Sequence, residues 1–360
     1  MRKKLVGMLA TATLLTMALA GNVQAAEIRS VGPDGEAAVD ASTIELTDDQ
    51  IAQIKEGGYT AAICLHYGGN DWSTSQQKGL EDTFGELGIE IVAVTDANFS
   101  AETQVSNIET VMAKKPDILV SIPTDATATA DAYKQAAAAG IKIIFMDQRA
   151  NGLEAGKDYV SVVSADNYGN GYASGTVLGD ALGGKGKVAM VYYDANFAPT
   201  NQRDEGFRDA MKNYPDIEIV TEQGFTDESG CAEQGDAILT QFPNIDGIYA
   251  SWDVPMEGVL SAVRAAGMEG KVTLACNDLG NNVAREIAAG TIAGGGAQMP
   301  YDQGVAEAKL AALSLLGEET PSYVAVPAEP VTHENVLEAY TDVYHVETPV
   351  SYTHLRAHET

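Results

Sequence analysis

The sequence predicts an α/β protein made of two doubly wound lobes, each a parallel sheet with helices on both faces. Short apolar runs alternate with helical stretches along most of the 360 residues, the pattern of successive β-loop-α steps. The second half also repeats the first. Asp117-Ile118-Leu119-Val120-Ser121 leads to Asp125, an alanine-rich helix ending Ala139-Gly140, a strand and Asp147. Asp246-Gly247-Ile248-Tyr249-Ala250-Ser251 leads likewise to Asp253, a helix ending Ala266-Gly267, a strand and Asp278. A repeat this much longer than a solenoid period implies two similar lobes, each with a carboxylate at a matching strand end.

The elements follow in order. Arg2, Lys3 and Lys4, an apolar stretch at 5–20 and Val23-Gln24-Ala25 make residues 1–25 an expected cleaved signal peptide, which sends the mature chain to the periplasm. No later apolar run approaches the roughly 20 residues that span a bilayer, so no direct membrane insertion is expected. Residues 26–57 read as a leader and a short helix: Gly32-Pro33-Asp34-Gly35 breaks any periodicity, and Thr47-Asp48-Asp49-Gln50 is a capping box for a helix ending at Gly57-Gly58. Residues 59–65 form a buried strand that opens into the polar loop 66–72, and Ser73 is the expected cap of a helix to about Leu87, stopped by Gly88.

Strands are then expected at 90–95, 118–122, 141–146 and 159–163, with helices at 101–114 and 126–139. The second run has helices at 168–182, 199–213, 228–241, 256–266, 282–289 and 302–316, and strands at 187–193, 217–222, 247–251, 272–276 and 291–297. Gly183-Gly184-Lys185-Gly186 precedes a strand, whereas a dinucleotide loop must follow one, so it reads as a turn. Gly294-Gly295-Gly296 falls within a strand, where it permits close backbone approach. Residues 349–360 are expected to be a non-native or disordered tail: 351–360 is basic, carries His354 and His358, and continues no pattern.

Composition narrows the function. A formal net charge of -29 repels phosphate backbones and anionic lipid, which disfavours nucleic acid and membrane surfaces as partners. Three cysteines, Cys64, Cys231 and Cys276, do not make a disulfide framework; Cys64 and Cys276 read as small buried hydrophobes within strands. His66, His333 and His345 are too dispersed for a metal cluster, and no G-x-S-x-G, Walker or HExxH pattern occurs, so no metal, cofactor or catalytic group is expected.

Ligands of open parallel sheets sit beyond the carboxyl ends of the strands. The residues there are Asn70, Trp72, Asp125, Asp147, Gln148, Arg149, Arg203, Trp252, Asp253, Asp278 and Gln298. Carboxylate, amide and guanidinium forks each bind two adjacent polar atoms, and an indole covers the C–H face of a ring, so the set suits a neutral polyhydroxylated molecule. Each has a plainer alternative. Asp125 and Asp253 fit equally as helix caps, Arg203 as a solvated surface charge, and Trp72 and Trp252 as packing under loops.

These residues resemble the type I periplasmic sugar-binding proteins of ABC transporters, ribose-binding-like, over roughly residues 60–339. The resemblance lies in Asn70-Asp71-Trp72-Ser73, Ile122-Pro123-Thr124-Asp125, Gly140-Ile141 leading to Asp147, Ser164-Ala165-Asp166-Asn167, Arg203-Asp204-Glu205-Gly206-Phe207, Asn277-Asp278 and the run from Ala297 to Gly304. It implies three hinge crossings, near Ala165-Asp166, Gln298-Met299 and Pro330-Val331, with lobe 1 at 58–165 plus 299–330 and lobe 2 at 166–298 plus 331–348. It also implies sugar contacts from Asn70, Trp72, Asp147, Arg203, Asp278 and Gln298. Gln148 and Trp252 join that first rank, and His66, Ser73, Asp125, Arg149 and Asp253 form a second. The sequence departs from the family at Ile122, where an asparagine is common, at Gln148, where an arginine is usual, and at Ser73, where a second aromatic is expected. The implied function is a monomeric receptor that binds a neutral monosaccharide, deoxysugar or sugar alcohol and passes it to a membrane permease. A secreted carbohydrate-modifying enzyme and a signal or chemotaxis receptor of the same fold are the alternatives; a repressor would need a DNA-binding helix pair where the export signal stands.

Overall fold

The computed structural model describes residues 28–348, so the expected signal peptide at 1–25 and tail at 349–360 lie outside the described residues. The first half runs β1 (Val39–Asp40), α1 (Asp48–Gly57), β2 (Thr60–Leu65), α2 (Asp71–Leu87), β3 (Glu90–Asp96), α3 (Ala101–Ala113), β4 (Ile118–Ser121), α4 (Ala130–Ala138), β5 (Lys142–Met146) and β6 (Ser161–Ala165). The second runs α5 (Asn167–Ala181), β7 (Lys185–Tyr193), α6 (Ala198–Met211), β8 (Asp216–Phe225), α7 (Cys231–Gln241), β9 (Gly247–Ala250), α8 (Asp253–Ala265), β10 (Thr273–Cys276), α9 (Asn281–Ala288) and β11 (Gly294–Ala297). The chain finishes with α10 (Pro300–Leu315), β12 (Tyr323–Val326), β13 (Glu329–Thr332) and α11 (Val336–Tyr344).

Two sheets result, ordered β1-β12-β6-β5-β4-β2-β3 and β13-β11-β10-β9-β7-β8. Their shared part winds identically: β2 lies between β3 and β4, as β7 lies between β8 and β9. Every pairing is parallel except β11 with β13. Strand alternation explains the apolar runs. Ala61, Ile63 and Leu65 of β2 enter one core with Leu80 and Phe84, while Ala62 and Cys64 enter another with Ile108 and Tyr133. A strand covered on both faces has no polar side to show. Phe84 is wholly buried, so its truncation to alanine should cost about 3–5 kcal/mol. All three cysteines are buried thiols.

The chain passes between the sheets after β6, after β11 and between β12 and β13. The third passage is at Pro327-Ala328, ahead of the expected Pro330-Val331. Pro330 instead pairs with Gly296 inside β13, and β13 is an edge strand, where a missing N–H leaves no partner unsatisfied. The leader, expected to be irregular, ties across the first passage. Arg29 N and Ser30 N donate to the Asp166 carboxylate at 2.9 and 2.8 Å, whereas β1 pairs with β12 of the first sheet.

Three local expectations are corrected. Asn70, not Ser73, caps α2, accepting from Ser73 N at 2.9 Å. Helix α4 begins at Ala130 rather than 126, because Asp125 first closes a separate turn by accepting from Thr127 N and Ala128 N. The helix expected from 228 starts as a 3₁₀ turn, Glu228–Gly230, and becomes α7 only at Cys231.

Candidate ligand-binding site

The carboxyl ends of the two sheets face one another, and the matched aspartates stand there. Asp147 directly follows β5 and Asp278 follows β10 by one residue; both have left-handed backbones, with φ of 54° and 69°. Asp is among the few residues that tolerate this region, and two outliers at equivalent points of a repeat mark a shared constraint.

Asp278 is held by charge. Its Oδ1 accepts from Gln298 Nε2 at 2.7 Å, and its Oδ2 lies 3.3 Å from Arg203 Nη1. Arg203 is 5% exposed, so it is no solvated surface charge; its Nε donates to Asn167 Oδ1 at 2.9 Å and Nη1 to Ser251 O at 3.3 Å. Helix α6 carries Arg203 and packs backbone to backbone on α5: a Cβ at Gly171 would overlap Arg203 O, and one at Gly206 would overlap Tyr168 O. Gly295 and Gly296 do the same service on β11, lying against Cys276 O and Asn170 O.

Asp147 is held by neutral groups. Its Oδ1 accepts from Ser164 Oγ at 3.0 Å, Gln303 Nε2 at 3.1 Å and Ala165 N at 3.4 Å. Burial drives its carboxyl above the ordinary range, opposed by the charge of Arg203 and by these hydrogen bonds.

Aromatic rings wall the space between. His66 stacks on Phe197 from the other lobe at 5.5 Å and 18°, and meets the Trp72 edge at 5.8 Å. Burial pulls His66 down to about 3, so the ring is neutral. Tyr193 and Trp252 make the second lobe's edge-to-face pair at 5.6 Å, and Trp252 Nε1 donates to Glu228 Oε1 at 2.8 Å. His66, Trp72, Asp147, Arg203, Trp252, Asp278 and Gln298 line one cavity of about 40 Å³. Both lobes contribute to its lining, so a molecule held there is enclosed from two sides. Trp72 Nε1, His66 Nδ1 and Gln298 Oε1, all lining it, are buried without a hydrogen-bond partner.

The other sequence-derived candidates stand elsewhere. Asn70 donates to Tyr67 OH at 2.6 Å and borders a neighbouring crevice. The amide of Gln148 is committed at both ends, to Pro123 O at 2.8 Å and, across the cleft, from Ala198 N at 3.1 Å, which makes it a latch between lobes. Ser73 Oγ turns back to Asn70 O. Asp125 is exposed and serves its own turn. Arg149 leaves the cleft and pairs with Asp34 of the leader at 2.6 and 2.7 Å. Asp253 accepts from Val254 N and Gly280 N, bracing the loop after Asp278; burial and then the Asp278 charge push its carboxyl well up. The lining residues missed from the sequence are Tyr67, Phe99, Tyr193 and Phe197, with Pro199 and Thr200. Their signal was position: aromatics in the same strand-end loops that hold the polar candidates.

Comparison with known proteins agrees with this architecture. The family model for a periplasmic binding protein domain matches residues 61–319. The chain is 25% identical to the ribose import binding protein of Salmonella typhimurium over 72% of this chain and 86% of that one. It is 29% identical to a D-ribose/D-allose-binding protein of Pseudomonas aeruginosa over 73% and 83%. A solved ABC transporter periplasmic solute binding protein from Actinobacillus succinogenes, with bound D-allose, superposes with a TM-score of 0.71 at 29% identity, covering 77% of this chain and 99% of that one. With more than half its length matched by the family model and both lobes matched in fold, the chain belongs to the periplasmic binding protein domain family.

Proposed function

We propose that the chain is the solute-binding receptor of an ABC importer, closing two lobes around a neutral monosaccharide, deoxysugar or sugar alcohol. The observation that carries the reading is the trio of unpartnered polar atoms, Trp72 Nε1, His66 Nδ1 and Gln298 Oε1, around a small aromatic-walled cavity. Each lacks a hydrogen bond worth about 1–3 kcal/mol when left unmade in a buried site, and together they offer donor and acceptor capacity to hydroxyls. Asp147 and Asp278 accept from further hydroxyls, Arg203 donates, and Trp72 with Trp252 covers the ring faces. Contacts from both lobes favour the closed state, which is the physical reason that ligand drives closure.

The relatives' names support this ligand class: ribose, allose and xylose are named in relatives 25%, 26% and 29% identical to this chain. In this role the protein is exported by its N-terminal segment, acts as a monomer in the periplasm, presents its closed form to a permease and performs no chemistry on the ligand. Lobe 1 comprises the first sheet with α10, and lobe 2 the second sheet with α11.

The test is a thermal-shift screen with D-ribose, D-allose, D-xylose, D-tagatose and myo-inositol, followed by calorimetry. A true ligand at about 100 times its Kd stabilises the fold by roughly 2.7 kcal/mol. Recovery of the bound sugar unchanged after denaturation supports the receptor, and conversion to a product sinks it in favour of the enzyme. No shift with any sugar or polyol sinks the ligand class.

A further inference from the structure

The polarity of the cleft changes from one side to the other, and it does so in the same order in both lobes. The first sheet runs β5-β4-β2, and the residues directly after those strands are Asp147, Ile122 and His66. The second runs β11-β10-β9-β7, and beyond its strand ends stand Gln298, Asp278, Trp252 and, in the loop after β7, Phe197. Neighbouring strands lie about 4.8 Å apart, so each edge passes from carboxylate and amide groups to apolar side chains and rings within a few strands. Helix α6 repeats the change along its own axis. Pro199 is in its first turn, and Arg203 stands four residues on, about 6 Å away. The apolar ends of the two lobes meet where the Phe197 ring stacks on His66 and packs against the lobe 1 cluster that contains Ile122.

Ile122, Phe197 and Pro199 all line the cavity, and their side chains have no donor or acceptor. The next residue, Thr200, spends its O–H on Phe197 O at 3.2 Å. Among the described residues, the unpartnered polar atoms that line the cavity belong to His66, Trp72 and Gln298, and none to this corner. A ligand hydroxyl buried there would give up water for no new partner, whereas a methyl group gains by leaving water. We propose that the cleft selects a 6-deoxyhexose, whose ring hydroxyls meet Asp147, Arg203, Asp278 and Gln298 while its C6 methyl fills the corner of Ile122, Phe197 and Pro199. This selection rests on the proposed sugar ligand and narrows it, making Ile122 and Phe197 the residues that choose among neutral sugars.

Calorimetry of the full chain with sugar pairs that differ by one oxygen tests the selection: L-rhamnose with L-mannose, L-fucose with L-galactose, and D-fucose with D-galactose. The deoxy member of at least one pair should bind about 10- to 100-fold more tightly than its partner, the range that a pocket without hydrogen-bonding groups reaches against an added hydroxyl. Equal affinities within every pair, or a preference for the hydroxylated member, would overturn the selection and leave the sugar ligand standing. Binding of none of the six also overturns the selection, and the sugar ligand is then decided by ribose, xylose, allose, tagatose and inositol in the wider screen. Ile122→Asn puts an amide in the corner and should bring the two members of the pair to within a few-fold of each other by tightening the hydroxylated one. Phe197→Tyr adds an O–H to the same corner, should act in the same direction, and stands in if Ile122→Asn fails to fold. A merely structural role would weaken both members alike, and an unchanged ratio in both variants would overturn the assignment of the corner.

Discussion

The two lobes bring an aspartate to equivalent strand ends in the same left-handed backbone, then surround it with opposite electrostatics. In lobe 2, Asp278 is 3.3 Å from a buried guanidinium. In lobe 1, Asp147 has hydroxyl, amide and backbone donors, and the cation that acts on it is Arg203 from across the cleft. Each lobe also buries a second acid: Asp204 beside Arg203, accepting from Ser251 Oγ at 2.6 Å, and Glu307 on α10, accepting from Gln76 Nε2 at 2.7 Å. The repeat therefore conserves backbone and position, while compensation of charge is local. Lobe 2 pairs its acid with a cation of its own, and lobe 1 holds its acid by one oxygen with neutral donors.

The sharpest break of that comparison is Arg203→Met. It leaves Asp278 buried without its counter-charge, which should cost about 3–5 kcal/mol in urea unfolding and abolish sugar binding. An unchanged unfolding midpoint would show that the pair is not what stabilises lobe 2. Asp147→Asn should behave in the opposite sense. Affinity for the ligand found by the screen should fall about 100-fold through loss of charged hydrogen bonds. The ligand-free melting temperature at neutral pH should rise, because the folded pKa of Asp147 lies above its unfolded value and the ionised form is the costly one. A variant that loses both binding and stability would mean that Asp147 is a structural residue.

The second acid of lobe 2 gives a pH dependence whose sign follows from its environment. Burial lifts Asp204 from 3.8 to about 6, so the folded state holds a proton that the unfolded state has lost. Stability is then greatest below the unfolded value, falls as pH rises from about 4 to about 6, and levels off above. The loss is on the order of 3 kcal/mol. Melting curves across that window should show a shallower slope for Asp204→Asn; identical slopes would place the titration elsewhere.

Much of the fold was legible because buried parallel strands are near-continuous apolar runs and their loops carry the polar groups. Asp147 and Asp278 were reached as acids ending strands at matched positions, and Gln298 as a strand-end amide; all three line the cavity. The aromatic partners Tyr67, Phe99, Tyr193 and Phe197 were not, since an aromatic in a loop looks the same whether it packs on a neighbour or faces a ligand until the opposing lobe is in place. Elements β12, β13 and α11 escaped because two four-residue strands two residues apart carry too few residues for a period to show. Gln148 and Asn70 were expected to contact a ligand, but sequence cannot say that an amide's hydrogen bonds are already spent on Pro123 and Ala198, or on Tyr67 and Ser73.

Arg149 makes the last and smallest test, and it is the arginine that should not matter. It lies two residues after Asp147, and the left-handed turn at Asp147 sends it out of the cleft to a bidentate pair with Asp34 on the leader. The pair is partly open to solvent, with the Asp34 side chain 62% exposed, so water screens most of the attraction. Arg149→Ala should therefore leave sugar affinity unchanged and shift unfolding by less than about 1 kcal/mol. An affinity loss approaching that of Arg203→Met would mean that the guanidinium swings into the cleft when the lobes close on ligand, and that lobe 1 borrows its missing cation from the leader instead of doing without one.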